Sequence, residues 1–539
     1  MLLRFVSGAW CAFLIGLMAS GTFTTARIGE ITSGPENDII SMSIAISQIN
    51  FGLSSRLAYH EVAQAISGVL LNGARAWATP TEADEARLRD PERVTEAIRA
   101  GATVQLADIK IPASRAGYLT NWCEDLGYSE FYNVAFRLFG FNAVSTNFLY
   151  VSVLSTSTLI FFLTFYNNNL AIGSVTLTIS ALFLTAASDV FSKFMPSFAA
   201  NRFLSTLALV PLIHLVHAAL RCGPVRGAEI AAMTAQIFVL TSAVTFRSSA
   251  EWAFIAIFLI CFLLLYLRRD RVGQQHAAVA KKRIAFILRT PRFVRVATVA
   301  GLTLLVTVGV GIIRNAQFDK RYFWNDNFPH HLIWHNAYIG LAANPSWHLY
   351  KPYPDVPDGG GDDVAFIPFM HYRAALGLPT NTTTGEIPNW ILARPYEDFV
   401  RGAYITFLVD HPIYSAQLFF YYKPLGILSV LATNGAALAQ HNLPMNVLTI
   451  IVSIALGVAL FSLAETRRQR VDLALIGGLV WLCSLLPLMW AYPISFAMAD
   501  QTWSAVFLLL MIICLFGAAL LRQTLPAVRR RTDKVPRRA

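Results

Sequence analysis

The feature that most constrains this chain is a series of apolar runs, each about 20 residues long. A helix rises about 1.5 Å per residue, so one such run spans the hydrocarbon core of a bilayer. Backbone N–H and C=O groups find no water inside lipid and must bond to one another, so the runs must be helical. We predict an all-α polytopic membrane protein with about ten spans, near residues 5–26, 145–166, 170–190, 201–221, 229–246, 250–267, 295–314, 446–464, 473–492 and 502–521.

Composition excludes a water-soluble globule. Only 14% of the 539 residues are charged and the mean hydropathy is +0.50, whereas soluble proteins carry about a quarter charged residues. The net charge of +11 does not indicate nucleic-acid binding, because the basic residues concentrate in short linkers between the apolar runs and in the C-terminal tail. These linkers cover residues 221–228, 268–295 and 465–472, and the tail covers residues 522–539.

The basic linkers set the predicted topology. If the first apolar run is a retained span rather than a cleaved signal peptide, Arg4, all three linkers and the tail lie in the cytoplasm. The long segments 27–144 and 315–445 then lie outside, with spans two to seven between them in 145–314 and spans eight to ten after the second segment in 446–521. They carry 10 basic against 14 acidic residues and 7 against 10, respectively. We predict a bacterial inner (plasma) membrane protein of the cell envelope with both termini cytoplasmic.

Both outer segments contain patterns typical of helices. Residues 37–71 and 129–140 are apolar at helical spacing but interrupted by polar residues, which predicts amphipathic helices at the membrane interface. Residues 81–99 predict a solvated helix. Residues 397–429 are aromatic with scattered charges and predict interfacial helices, although further spans there remain open.

Motifs for soluble nucleotide chemistry are absent. The chain contains no G-x-G-x-x-G, no G-x-x-x-x-G-K-[ST], no H-E-x-x-H and no G-x-S-x-G. An enzyme whose polar segments face outward, where ATP is absent, needs an activated substrate delivered through the membrane. Polyprenyl-phosphate sugars meet that requirement.

Two sequence stretches resemble a known class. Asp125-Leu126-Gly127-Tyr128, continuing to Phe136-Arg137-Leu138-Phe139-Gly140, is similar to the D-x-G-Y … F-R-L-F-G run of the dolichyl-phosphate-mannose-protein mannosyltransferase-like branch of GT-C membrane glycosyltransferases. His411-Pro412-Ile413-Tyr414, before a helix bearing Lys423, resembles the same group. The order of first helix, long outer loop, helical hairpins and late outer segment also resembles that class and covers most of the chain.

The resemblance implies a general base in the first outer loop. Many members have an adjacent Asp-Glu pair, whereas this chain has Asp38 in Pro35-Glu36-Asn37-Asp38. Asp38 is the predicted base for the acceptor hydroxyl; the alternative is a helix N-cap. Glu61 is the second catalytic candidate, with a solvated surface position as the alternative. Glu124 and Asp125 together are the third catalytic candidate, and the alternative is that they cap the helix that follows.

A phosphate-bearing lipid requires a cation at the outer membrane edge. Arg247 lies in the tight hairpin 245–251, and a planar guanidinium binds phosphate through two N–H groups. The alternative is a surface pair between Arg247 and Glu251. Lys193 and Arg202, in the neighbouring outer loop, are further substrate-binding candidates, for which snorkelling of the side chain is the alternative.

The second outer segment is rich in histidine, aspartate and aromatic residues. His330, His331, His335, His348 and His371 together with Asp355, Asp358, Asp362 and Asp363 leave a divalent-metal site open, although no specific metal-binding spacing occurs. Trp and Tyr in 324–350 predict either interfacial anchoring or sugar stacking.

The leading hypothesis is an inverting hexosyl- or pentosyltransferase. It would move a sugar from a polyprenyl-phosphate donor to an extracytoplasmic lipid, glycan or protein. The alternatives are an O-antigen polymerase or ligase, which the histidines at 330–335 keep open, and a transporter or flippase. Against a transporter, His214 and His217 are nearly the only ionisable residues deep within the predicted spans.

Overall fold

The computed structural model describes most of the chain, and every regular element in the described part is a helix. The described residues are 1–20, 35–51, 66, 69, 91–105, 127–187, 201–221, 224–266, 291–316, 333–378, 380, 394–440, 442–463, 467–491 and 498–524. The first α-helices are α1 (Leu2–Ser20), α2 (Pro35–Phe51), α3 (Pro91–Ala102), α4 (Gly127–Phe139), α5 (Ser145–Phe165), α6 (Asn169–Ala186), α7 (Asn201–Leu204), α8 (Leu209–Leu220), α9 (Gly227–Phe246), α10 (Trp252–Tyr266) and α11 (Pro291–Ala316). The others are α12 (Ile333–Ile339), α13 (Trp347–Tyr350), α14 (Asp363–Ala375), α15 (Arg394–Asp410), α16 (Pro412–Gln417), α17 (Lys423–Gln440), α18 (Leu443–Ser462), α19 (Arg467–Ser484), α20 (Leu486–Trp490) and α21 (Met498–Thr524).

Eight helical stretches in the described residues are long and apolar enough to cross a membrane. They are Leu2–Ser20, Ser145–Phe165, Asn169–Ala186, Gly227–Phe246, Phe293–Ile313, Leu443–Ser462, Arg470–Trp490 and Ala499–Gln523. Two shorter apolar helices, Ser205–Leu220 and Trp252–Leu265, lie at the fourth and sixth predicted spans. The prediction of an all-α polytopic membrane protein is confirmed, while the long helices account for eight of the ten predicted spans.

Arginines gather at one end of the helix bundle, which we call the basic end. Arg295 Nη2 lies 3.0 Å from Glu229 Oε2, and Arg221 pairs with the other oxygen of the same carboxylate. Arg522 Nε donates to the Ser462 carbonyl at 2.6 Å, at the ends of α21 and α18. The helices on either side of the predicted cytoplasmic linkers therefore meet at this end.

The opposite end, which we call the segment end, is where the chain enters and leaves its two long segments. Asn147 Nδ2 donates to the Ala19 carbonyl at 3.3 Å, which joins the end of α1 to the start of α5. The chain runs from the basic end through α19 and α20 to Trp490, and the next span, Ala499–Gln523, runs back. Trp490 and Asp500 therefore both lie at the segment end.

Small residues let the central helices pack closely. In α6, 94% of the apolar stretch is buried inside the protein. A Cβ at Gly173 would lie 2.4 Å from the Phe461 ring, and one at Gly457 would lie 2.5 Å from Cys514 Sγ. Trp503 Nε1 donates to the Thr178 carbonyl at 3.1 Å. Lipid provides no hydrophobic driving force between helices, so close van der Waals packing of this kind stabilises their association.

Three helices of the first long segment pack together on the bundle. Asn133 Nδ2 in α4 donates to Gln48 Oε1 in α2 at 2.8 Å, and Asn50 Nδ2 donates to the Ala102 carbonyl at 2.7 Å. Of the stretch 81–99, predicted as a solvated helix, the structure describes residues 91–99, the greater part of α3. A helix forms there and its charged residues Glu92, Arg93, Glu96 and Arg99 are exposed, as predicted. The other face of α3 is not solvated, because Val94, Ala97 and Ile98 are buried in the main core. These apolar residues are three to four positions apart, so they form one face of α3, and this face packs on the core.

Residues 333–378 and 394–417 form a compact unit with a core of their own, which we call the second-segment unit. Trp347, Tyr396 and Phe369 lie at the centre of this core, which is separate from that of the bundle. The unit is held to the segment end by Trp490, whose Nε1 donates to the Ile333 carbonyl at 2.9 Å.

Both ends of helix α17 lie at the segment end of the bundle. Lys423, its first residue, donates from Nζ to the Met489 and Trp490 carbonyls at 2.7 and 3.0 Å, so α17 begins at the segment end. Its C-terminus leads directly into α18, which runs from the segment end to Ser462 at the basic end. Helix α17 therefore lies along the segment end and does not cross the bundle.

Candidate functional site

A buried carboxylate organises the segment end of the bundle. Asp500 is fully buried, and its oxygens accept hydrogen bonds from Ser205 Oγ at 2.7 Å and from Trp252 Nε1 at 2.9 Å. The three residues belong to three separate parts of the chain. Asp500 thereby ties the start of α21 to α10 and to the turn before α8.

Arg247 supplies the positive charge of this cluster. It follows the last residue of α9 with an extended backbone (φ −148°, ψ 106°), which ends the helix before the short 3₁₀ turn Ser248–Glu251. Arg247 is only 6% exposed, and its charge lies within electrostatic range of the Asp500 carboxylate. Glu251, the predicted alternative partner, is exposed.

Hydroxyl groups extend the cluster into the bundle. Tyr150 in α5 and Thr206 are hydrogen-bonded through their hydroxyls at 2.8 Å, and both side chains are buried. A guanidinium, a carboxylate and hydroxyls held at the edge of the membrane are costly to desolvate unless they pair with one another. The arrangement combines a fixed cation with hydrogen-bonding groups, which is chemistry suited to an anionic headgroup.

The first long segment reaches this cluster through α4. A Cβ placed on Gly127 would lie 2.2 Å from the Thr245 carbonyl oxygen, so only glycine permits this contact. The Phe131 ring lies 5.1 Å from the Phe246 ring at 64°. The sequence stretch with the family resemblance therefore contacts the end of α9 through Gly127 and Phe131, directly before Arg247.

The remaining predicted site residues are placed unevenly. Asp38 is the fourth residue of α2, so the helix begins three residues before it and the N-cap position precedes Pro35. Arg202 lies in α7, directly before the turn that carries Ser205. Glu61 and Lys193 lie outside the described residues, as do Glu124, Asp125, His330 and His331. Of the five predicted site residues, only Arg247 is described with its side chain.

A second polar network lies inside the second-segment unit. His335 Nδ1 is 2.5 Å from the Tyr396 hydroxyl, and His335 Nε2 is 3.3 Å from Asp362 Oδ1. Glu397 accepts the backbone N–H groups of Trp334 and His335 at 2.9 and 3.1 Å, which caps the N-terminus of α12. Burial raises the pKa of the Tyr396 hydroxyl well above its usual value, so this group remains a neutral hydrogen-bonding partner.

The predicted metal site finds no support in the part of the chain that the structure describes. There, no three His, Cys, Asp or Glu side chains come together in a geometry that could hold an ion. His335 pairs with Asp362, and His371 pairs with Asp355 at 2.9 Å, at separate positions. Both contacts are ordinary hydrogen-bonded pairs.

Asp500 and Lys423 were not predicted as site residues. The last predicted span starts at residue 502, so Asp500 was placed in a loop, whereas α21 begins at Met498 and includes it. An acidic residue at the start of a membrane helix was the available signal. Lys423 is fully buried and lies 5.0 Å over the Phe419 ring. The chain matches no family model, no curated protein and no solved structure.

Proposed function

We propose that the protein is a GT-C-like membrane glycosyltransferase that moves a sugar from a polyprenyl-phosphate donor to an extracytoplasmic acceptor. The observation that carries the proposal is the buried Arg247 at the segment end of the bundle, within electrostatic range of the buried Asp500. Charged groups at the membrane edge are expensive and therefore tend to serve function. The phosphate of a lipid-linked sugar carries its negative charge at the membrane edge, which is the depth of Arg247.

The distribution of basic residues supports an outward-facing site. The helices flanking the basic linkers meet at the end opposite Arg247, and such linkers face the cytoplasm in most membrane proteins. The segment end is then extracytoplasmic. Nucleotide sugars are absent there, whereas a polyprenyl-phosphate sugar is present in the membrane itself.

Arg247 can serve both the protein and the donor. In our proposal the negative charge of Asp500, which is held in place by its bonds to Ser205 and Trp252, stabilises the positive charge of the Arg247 guanidinium. The planar guanidinium binds the phosphate through two N–H groups and stabilises the negative charge that grows on the phosphate as the sugar leaves.

Asp38 is the proposed general base. The acceptor hydroxyl oxygen attacks the anomeric carbon, the bond from that carbon to the phosphate oxygen breaks, and the hydroxyl proton passes to the carboxylate. Attack opposite the leaving phosphate inverts the anomeric centre. Helix α2, which carries Asp38, packs on α4, and α4 begins against the end of α9 before Arg247.

Purified protein in nanodiscs tests the proposal with two variants. Asp38→Asn should reduce transfer from an undecaprenyl-phosphate sugar by about 10²- to 10⁴-fold while donor binding stays intact. Arg247→Ala should weaken donor binding, and Arg247→Lys should recover only part, because the fork geometry is lost. If Asp38→Asn turns over normally and Arg247→Ala binds the donor as tightly as wild type, the proposal fails.

A further inference from the structure

An open cavity on the second-segment unit has no role in the site described above. Its volume is about 700 Å³ and it is formed mainly by α15, with contributions from the ends of α13 and α14. Tyr350, Tyr372, Phe399 and Phe407 supply aromatic lining. Two of these residues are well exposed, Tyr350 at 39% and Tyr372 at 44%, so part of each is accessible to a ligand.

The ring of Tyr372 is stacked on the ring of Phe399. Their centroids are 4.8 Å apart and their planes differ by 28°, so Phe399 supports one face of the Tyr372 ring. Tyr350 packs across Phe407 at 78°, with centroids 6.4 Å apart, elsewhere in the same lining. Flat aromatic faces favour ligands that present C–H groups on one side, as the pyranose and furanose rings of sugars do.

The carboxylates are the charged groups of the cavity lining. Asp398 and Asp410 line it together with His411, and no lysine or arginine is among the lining residues. Asp410 is exposed, and Asp398 keeps 48% of its side chain exposed although Arg401 lies 3.1 Å away. Carboxylates accept hydrogen bonds from sugar hydroxyls but repel a phosphate or an acidic sugar.

We infer that this cavity binds an uncharged saccharide, which is the acceptor of the transfer. The word acceptor rests on the proposed function, whereas saccharide binding follows from the aromatic faces and the carboxylates alone. The donor phosphate is excluded by charge, so donor and acceptor occupy different places. Trp490, which holds the unit through the Ile333 carbonyl, keeps the cavity at the segment end where the buried arginine lies.

Saccharide binding is measured without turnover, on the full-length protein in nanodiscs. The probes are maltotriose, mannotriose, galactotriose and arabinotriose, with undecaprenyl phosphate as the anionic probe, and the readout is saturation-transfer NMR with titration. The cavity variants are Tyr372→Ala, Tyr372→Phe and Asp410→Asn. The matched controls are Tyr421→Ala, an exposed tyrosine outside the cavity, and Asp363→Asn, an exposed carboxylate on the same unit.

At least one neutral trisaccharide should bind the wild-type protein. Tyr372→Ala and Asp410→Asn should each weaken that binding about tenfold, while Tyr372→Phe and both controls should not. Undecaprenyl phosphate should bind all variants equally. The inference is overturned if no trisaccharide binds, if the cavity variants bind like wild type, or if they lose undecaprenyl phosphate instead. Because donor binding and transfer are read separately, failure here is distinguishable from failure of the proposed function.

Discussion

Replacing Asp500 with alanine should destabilise the protein strongly. The substitution removes the acceptor of the Trp252 indole N–H and of the Ser205 hydroxyl, and it removes a negative charge that acts on the buried Arg247. A buried donor left without an acceptor costs about 1–3 kcal/mol, and both of these donors are buried. Because the two donors share one acceptor their costs do not simply add, and we expect a total of about 2–4 kcal/mol.

The free energy of unfolding can be measured by SDS titration in mixed micelles with far-UV circular dichroism. Asp500→Asn keeps one oxygen acceptor but loses the charge, so its loss should be intermediate. Ser205→Ala removes a single hydrogen bond and should cost about 1 kcal/mol. If Asp500→Ala unfolds within about 1 kcal/mol of wild type, the carboxylate does not organise this end of the bundle and the reasoning is refuted.

A double variant separates the structural role of the two buried charges from the functional one. Trp252 and Ser205 still lose their acceptor, but no buried charge is left uncompensated and the volume is kept. Arg247→Met combined with Asp500→Leu should therefore be more stable than Asp500→Ala. It should still fail to bind undecaprenyl phosphate, because no cation remains. A double variant that is stable and binds the donor normally would show that the pair only supports the fold.

Two further predictions concern other contacts at the segment end. Gly127→Ala places a Cβ 2.2 Å from the Thr245 carbonyl oxygen and should cost about 1–3 kcal/mol, whereas Gly301→Ala, in open space on α11, should not destabilise; equal stabilities would contradict the close contact. Burial lowers the pKa of the Lys423 ammonium to about 7, below the value of about 10.4 in an unfolded chain. The unfolded state thus binds more protons between these values, and stability should rise with pH from about 7 to about 10. Lys423→Met should flatten that rise in SDS titrations at several pH values, and an unchanged slope would contradict the assignment.

The membrane helices were predictable because their signal is local. A run of apolar residues must form a helix in lipid whatever surrounds it, so Ser145–Phe165 and Leu443–Ser462 lie within about one to three residues of their predicted bounds. Local signals fail where a polar residue belongs inside a helix. Asp500 was placed in a loop for this reason, since only its bonds to Ser205 and Trp252 make its position in α21 acceptable.

The second-segment unit was not predictable because its order comes from distant residues. His335 meets Tyr396, which is 61 positions away in the chain, and Trp490 meets Ile333, which is 157 positions away. Histidines and aspartates close together in sequence suggested a metal site, yet the described ones are used in separate pairs. Residue types alone do not reveal which partner a polar side chain will have in the fold.

The charges of the two sites are the strongest reason to assign them different substrates. At the buried site the Arg247 guanidinium suits an anion, and the Asp500 carboxylate within its electrostatic range is bonded to Ser205 and Trp252. The lining of the open cavity contains two carboxylates, one of them paired with Arg401, and no lysine or arginine. A phosphate moved from the first site to the second would lose the adjacent cation and meet like charge. A transferase needs this difference in charge between its two sites if a charged donor and a neutral acceptor bind separately before they react. Buried charges with only a structural role and an unrelated surface cavity would not need it.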